Sequence, residues 1–100
     1  MRPIPDSNVL EAAMFHDRLQ RLVRDHGEGE SDRRTFRAGD VTVVEDHYSL
    51  KVYVSSFLRL AYSWEATSED RVKITYRRKL VKQAEDELNR VLVLDELANA

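Results

Sequence analysis

Apolar positions recur along this chain with two different periods, and the changes of period divide it into elements. Ala12, Phe15, Leu19, Leu22 and Val23 follow three- and four-residue steps, so they share one side of a helix. Asn8 is a good helix cap, and Glu11 stands three residues on, a variant of the capping box. Gly27, directly after His26, suits the end of the helix. The pattern predicts a helix over 8–26, preceded by an extended, proline-bearing arm over 1–7. Residues 27–34, GEGESDRR, hold no apolar side chain and predict a mobile polar loop.

Beyond the loop the period falls to two. Thr35 to Asp40 leads toward a strand but is broken by Gly39, and the β-branched Val41, Val43 and Val44 predict a strand over 40–45. Asp46 and His47 suit a turn. Leu50, Val52 and Val54 then alternate with Lys51, Tyr53 and Ser55, which predicts a strand over 48–55. Val72, Ile74 and Tyr76 alternate with Lys73, Thr75 and Arg77 and predict a strand over 71–77. Helical spacing returns with Leu80, Ala84, Leu88, Val91 and Leu92, predicting a second helix that runs to about 97.

Residues 57–67 fit two elements. A strand places Leu58, Leu60, Tyr62, Trp64 and Ala66 toward the core, and a helix gathers Phe57, Leu60, Ala61 and Trp64 into a stripe. The strand is preferred, because the segment is aromatic-rich and Ser68-Glu69-Asp70 joins it to the next alternating run as a hairpin. Short connections favour pairing of chain neighbours. The expected architecture is α+β: a two-layer sandwich with an N-terminal helix, a three- to four-stranded antiparallel meander and a C-terminal helix, in one domain of 100 residues.

Composition narrows the chemistry. The chain has no cysteine, which removes disulfides, thiol nucleophiles and thiolate metal sites. No apolar run approaches the roughly 20 residues of a membrane helix, and the first residues carry no apolar signal core, so a cytoplasmic location without membrane contact is expected. His16, His26 and His47 stand far apart, outside any metal-ligand spacing, and Asp46-His47 has no nucleophile motif beside it. Three glycines and no Gly-rich motif leave no phosphate cradle. No enzyme activity, cofactor, metal or small-molecule substrate is expected.

Charge gives the most distinctive feature. The chain is slightly acidic, with a formal net charge of −2, yet Arg71, Lys73, Arg77, Arg78, Lys79 and Lys82 form a run without a single acid. Such a block is a local positive field that recruits anionic partners. On a strand, Lys73 and Arg77 point away from the core, where charge also guards a sheet edge against aggregation. Arg78, Lys79 and Lys82 fall at a helix start, where they add to the positive end of the dipole. Glu85, Asp86 and Glu87 close the block within a turn. Arg18, Arg21 and Arg24 either extend the patch or pair with Asp17 and Asp25.

Two apolar features add to it. Tyr53 is out of phase with Leu50 and Val52 and is expected on the open sheet face. Val91 to Leu94 is unbroken and Leu97 follows, more apolar surface than one helix stripe hides. Either this helix is deeply sunk, or its end is a short strand, or Val93, Leu94 and Leu97 face a partner or a second copy. The expected function is a non-enzymatic protein-interaction module: a small regulator, an inhibitor of the kind phages and plasmids encode, or an accessory subunit. The second expectation is nucleic-acid binding through residues 71–82.

Overall fold

The computed structural model describes the backbone of residues 6–30, 32–55, 57–68 and 71–98, and within these the side chains from Val9 to Leu92, Ser68 excepted. Helix α1 spans Asp6–His26. Six strands follow: β1 Glu28–Glu30, β2 Arg33–Ala38, β3 Val41–Asp46, β4 Ser49–Val54, β5 Arg59–Ser68 and β6 Arg71–Tyr76. Helix α2 spans Arg78–Ala98. The strands form one sheet in the order β1-β2-β3-β4-β5-β6, each antiparallel to its chain neighbour. The α+β class and the helix–sheet–helix order match the sequence pattern. The expected strand number of three to four is corrected to six.

Of the two added strands, β1 and the first two residues of β2 lie where the pattern predicts a polar loop, and the rest of β2 lies in the segment from Thr35 that leads toward a strand. Residues 28–30 and 33–38 make a hairpin that runs on into β3. Its tip escapes a periodicity argument because β1 is exposed at every position, so neither face selects for apolar residues. Gly29 has φ +128°, a conformation other residues rarely adopt, and a Cβ there would strike the Arg33 carbonyl. In β2, alternation is masked by Arg34, which shares the helix-side face with Phe36 and Ala38. Arg34 Nη1 donates to the Arg24 carbonyl of α1 at 3.3 Å, satisfying a helix-end acceptor that has no intrahelical donor.

Residues 57–67 do extend into a strand, β5, but not in a single phase. Val52 pairs with Tyr62 and Tyr53 pairs with Leu60, so Ala61 is an extra residue, a β-bulge. Tyr62 and Trp64 therefore face the helices, while Leu60 shares the opposite face with Tyr53. Leu58 has φ 50° in the preceding turn and is exposed. The bulge also serves the next element. The Ala61 carbonyl accepts the Arg77 N–H at 3.0 Å, and the Arg77 carbonyl accepts the Val81 N–H at 2.8 Å, which fixes where β6 ends and α2 begins.

Both helices lie on one sheet face, α1 over β2 and β3, and α2 chiefly over β5 and β4. Leu19 and Val23 of α1, Val81, Ala84 and Leu88 of α2, and Val41, Val43, Leu50, Val52 and Val54 of the sheet are buried together. Phe15 meets the Tyr62 ring edge-on, with centroids 5.6 Å apart. The second sheet face has no layer over it among the described residues. No described helix is long and apolar enough to cross a membrane.

Candidate functional site

The last strand of a meander must be an edge strand, and β6 is one. Its register settles which way each side chain points. Lys73 pairs with Glu65 and Thr75 with Ser63, on the open face. Val72 pairs with Ala66, Ile74 with Trp64 and Tyr76 with Tyr62, on the helix side. The helices stop short of this strand, so Val72 and Ile74 remain 48% and 44% exposed although they lie on the core side. Only Tyr76, at the end of the strand, packs against the core.

The basic residues follow the same strand into the helix. Arg71 and Lys73 are exposed on β6, Arg77 is exposed at the junction, and Arg78, Lys79 and Lys82 are exposed on the first turns of α2. The first turn of α2 has no acid to oppose the helix dipole. Among the described residues, none of these six cations forms an ion pair. The nearest carboxylate to Lys73 across the pairing, Glu65, is engaged by Lys51 at 2.9 Å. That bond is the main reason the Glu65 carboxyl is held below its ordinary range, with smaller help from Lys73.

Tyr53 lies on the open face between Thr42 and Leu60, half-buried. It stands two strands from β6 and is not part of the same edge. Ser63, at the middle of the open face, is only 4% exposed, beside the longer Lys51 side chain. The side chains of Val93, Leu94 and Leu97 lie outside the described residues, so the apolar end of α2 joins no site described here.

A groove of about 790 Å³ runs between the helices, with Phe15, Leu22, Tyr76 and Val81 among its lining residues. Two contacts span the gap between its walls. Arg18 Nη2 donates to Asn89 Oδ1 at 2.6 Å, and Tyr76 Oη donates to Glu11 Oε2 at 3.3 Å. Burial, followed by Glu11, pushes the Tyr76 phenol up from its ordinary value. Arg18, Arg21, Arg78 and Lys82 line the groove, but Asp17, Asp25, Glu85 and Asp86 stand among them. Arg21 is bonded to Asp17, and Arg24 lies in the last turn of α1, outside the groove. The helix-1 arginines do not merge with the basic segment into one uncovered patch.

The polar cluster nearest the core is formed by His16, Tyr62 and Trp64. His16 Nδ1 lies 2.9 Å from Tyr62 Oη, and the His16 and Trp64 rings meet at 5.5 Å between centroids. Burial pushes the Tyr62 phenol up to about 12, so it keeps its proton and shares it in a hydrogen bond with His16 Nδ1 whose direction follows the imidazole tautomer. Burial also lowers the His16 pKa from 6.5, and the nearby Glu45 and Asp17 carboxylates oppose it only in part. The unfolded chain, whose His16 keeps the higher pKa, therefore takes up a proton first as the pH falls. The expected result is a melting temperature that drops between about pH 7 and pH 5, with a shallower drop in His16→Gln, measured by thermal melts across that range. Identical slopes would show that this imidazole is not held neutral by the fold.

His47 lies at an exposed turn, with its ring 6.2 Å from Tyr48. The Tyr48 N–H donates to Asp46 Oδ1 at 2.8 Å, the main cause of the lowered Asp46 pKa, so Asp46 is spent on holding the turn. Among the described residues, no group of three or more His, Asp or Glu side chains is placed to hold a metal ion.

The structure places Arg71 and Lys73 on the open face of β6, Arg77 at the junction and Arg78, Lys79 and Lys82 at the start of α2, with Arg78 and Lys82 lining the groove on the helix side, and leaves Tyr53 two strands away from β6. Sequence reasoning missed Val72 and Ile74, which alternation assigns to the core. The signal for them was their place in the last strand of a meander, where the neighbouring layer ends. No family model matches this chain, and neither a curated protein nor a solved structure matches it significantly.

Proposed function

We propose that this protein is a non-enzymatic interaction module, a small regulator, inhibitor or accessory subunit, that binds another protein along β6 and the junction to α2. The observation that carries this reading is the pair Val72 and Ile74, both close to half exposed on a strand edge flanked by cations. Apolar side chains next to a concentrated charge are the anatomy of a protein interface, with an apolar anchor and a polar rim. Nucleic-acid binding is the weaker reading. A phosphate backbone is tracked by a long stripe of cations, whereas the acids of the interhelical groove interrupt this one after the first turns of α2.

Site-specific photo-crosslinking tests the proposal. A benzophenone side chain is placed at position 74, at position 79 and, as a control, at position 42 on the open face. In cells of the source organism, positions 74 and 79 are expected to give the same defined protein adduct, and position 42 is expected to give none. The paired substitution Arg78→Glu and Lys79→Glu is expected to lower the position-74 yield at least about tenfold, since like charges facing each other across an interface suppress binding. Adducts of nucleic acid, or equal protein labelling from all three positions, would overturn it.

A further inference from the structure

We propose that β6 takes an extended segment of its partner as a seventh strand, and that this segment alternates acidic and apolar residues. This rests on the interaction reading above and names the kind of ligand. β6 has one paired edge, toward β5, and its other edge presents backbone N–H and C=O groups with no strand beside them among the described residues. An added strand bonds to those groups and gains its specificity from alternate side chains.

The two faces of β6 set the pattern of the guest. Residues on the helix-side face of a seventh strand lie beside Val72 and Ile74, where the apolar layer of Trp64 continues outward. Apolar side chains there cover surface that the helices leave bare. Residues on the open face lie beside Arg71 and Lys73, where carboxylates are favoured and cations are repelled. Six residues of β6 span roughly 20 Å, so the matching guest is about six residues long.

The same chemistry argues against a second copy of this chain. Antiparallel self-pairing of β6 keeps side chains on matching faces only if residues of equal parity oppose each other. With the dyad at Val72, Arg71 meets Lys73. At Lys73, the two Lys73 ammonium groups meet, and at Ile74, Arg71 lies opposite Arg77, one residue past the end of the strand. The first two registers set cation against cation within the strand and the third at its end. The other sheet edge, β1, does carry Glu28 and Glu30 on the open face, but it is three residues long and has only Gly29 to offer the apolar side.

The test uses the ¹⁵N-labelled full chain and three probes: the peptide SEVEIEVS, its charge-reversed form SKVKIKVS, and SEVEIEVS methylated on alternate backbone nitrogens in either phase. The acidic peptide is expected to shift the amides of residues 71–76 and to slow their hydrogen exchange at least tenfold. The charge-reversed form and at least one methylated phase are expected to bind at least tenfold more weakly. Ile74→Lys and Val72→Lys are each expected to remove binding of the acidic peptide while the rest of the spectrum is retained. The proposal is overturned by equal affinity for both charge forms, by shifts in the interhelical groove or on the open face instead of β6, or by an unchanged spectrum at millimolar peptide. It is also overturned if β6 is protected in the free chain by concentration-dependent self-association, the signature of β6–β6 or β1–β6 pairing. A defined protein adduct from position 74 together with peptide failure would remove strand addition alone and leave the interaction reading standing. Peptide binding without any adduct would do the reverse.

Discussion

Leu19→Ala is expected to lower stability by about 3 kcal/mol, within the 2–5 kcal/mol typical of a fully buried leucine. Leu19 has no solvent exposure and lies where α1 meets the sheet. Alanine removes apolar burial and leaves a cavity, because the surrounding valines are held by strand pairing and cannot close in. A domain of this size has roughly 5–15 kcal/mol of stability in all. The melting temperature should fall by more than about 10 °C, at 4–8 °C per kcal/mol. Urea and thermal melts measure it directly. Met14→Ala, on the exposed side of the same helix, is the matched control and should stay within about 0.5 kcal/mol of the parent. Equal costs at the two positions would mean that α1 does not dock by the Leu19 face.

Ile74→Lys is expected to behave in the opposite way. Its stability cost should be small, because the side chain is nearly half exposed and lysine on an edge strand is well tolerated. Its effect on binding should be large. An interface anchor contributes about 2 kcal/mol or more, which is roughly a 30-fold loss of affinity. The lysine also sets a charge against the apolar side of the proposed segment, because position 74 lies on the face opposite Arg71 and Lys73. Thr42→Lys, on the open face away from β6, adds the same charge and should change affinity little. The contrast between Leu19 and Ile74 separates side chains that hold the fold together from those that meet a partner, although both belong to apolar stripes in the sequence.

That contrast also explains what was legible from sequence. Helix α1 reads clearly because Phe15, Leu19 and Val23 repeat along one buried side. Strand β4 reads clearly because Leu50, Val52 and Val54 are buried while their neighbours are not. Both signals arise where one face is covered and the other is wet. The β1–β2 hairpin leaves no such trace, since β1 is exposed on both faces and β2 turns Arg34 toward a helix end. The phase of β5 is hidden by the bulge at Ala61, which needs a partner strand to be seen.

The basic segment was legible as a run of charge, but its surroundings were not. Sequence supplies no means of knowing that acids of α1 and α2 line the same groove as Arg18 and Arg78, or that the helices end before β6. These facts shift attention from the cations alone to the cations together with Val72 and Ile74. Tyr53, chosen for being out of phase, does face away from the helices, yet it lies two strands from the edge.

The most direct test of the account is the affinity of the protein captured at position 74 for the parent chain and for Ile74→Lys, titrated by calorimetry at one salt concentration. The account predicts at least about a 30-fold weaker complex for Ile74→Lys, with a melting temperature within a few degrees of the parent. Equal affinity for the two chains, at equal stability, would contradict it.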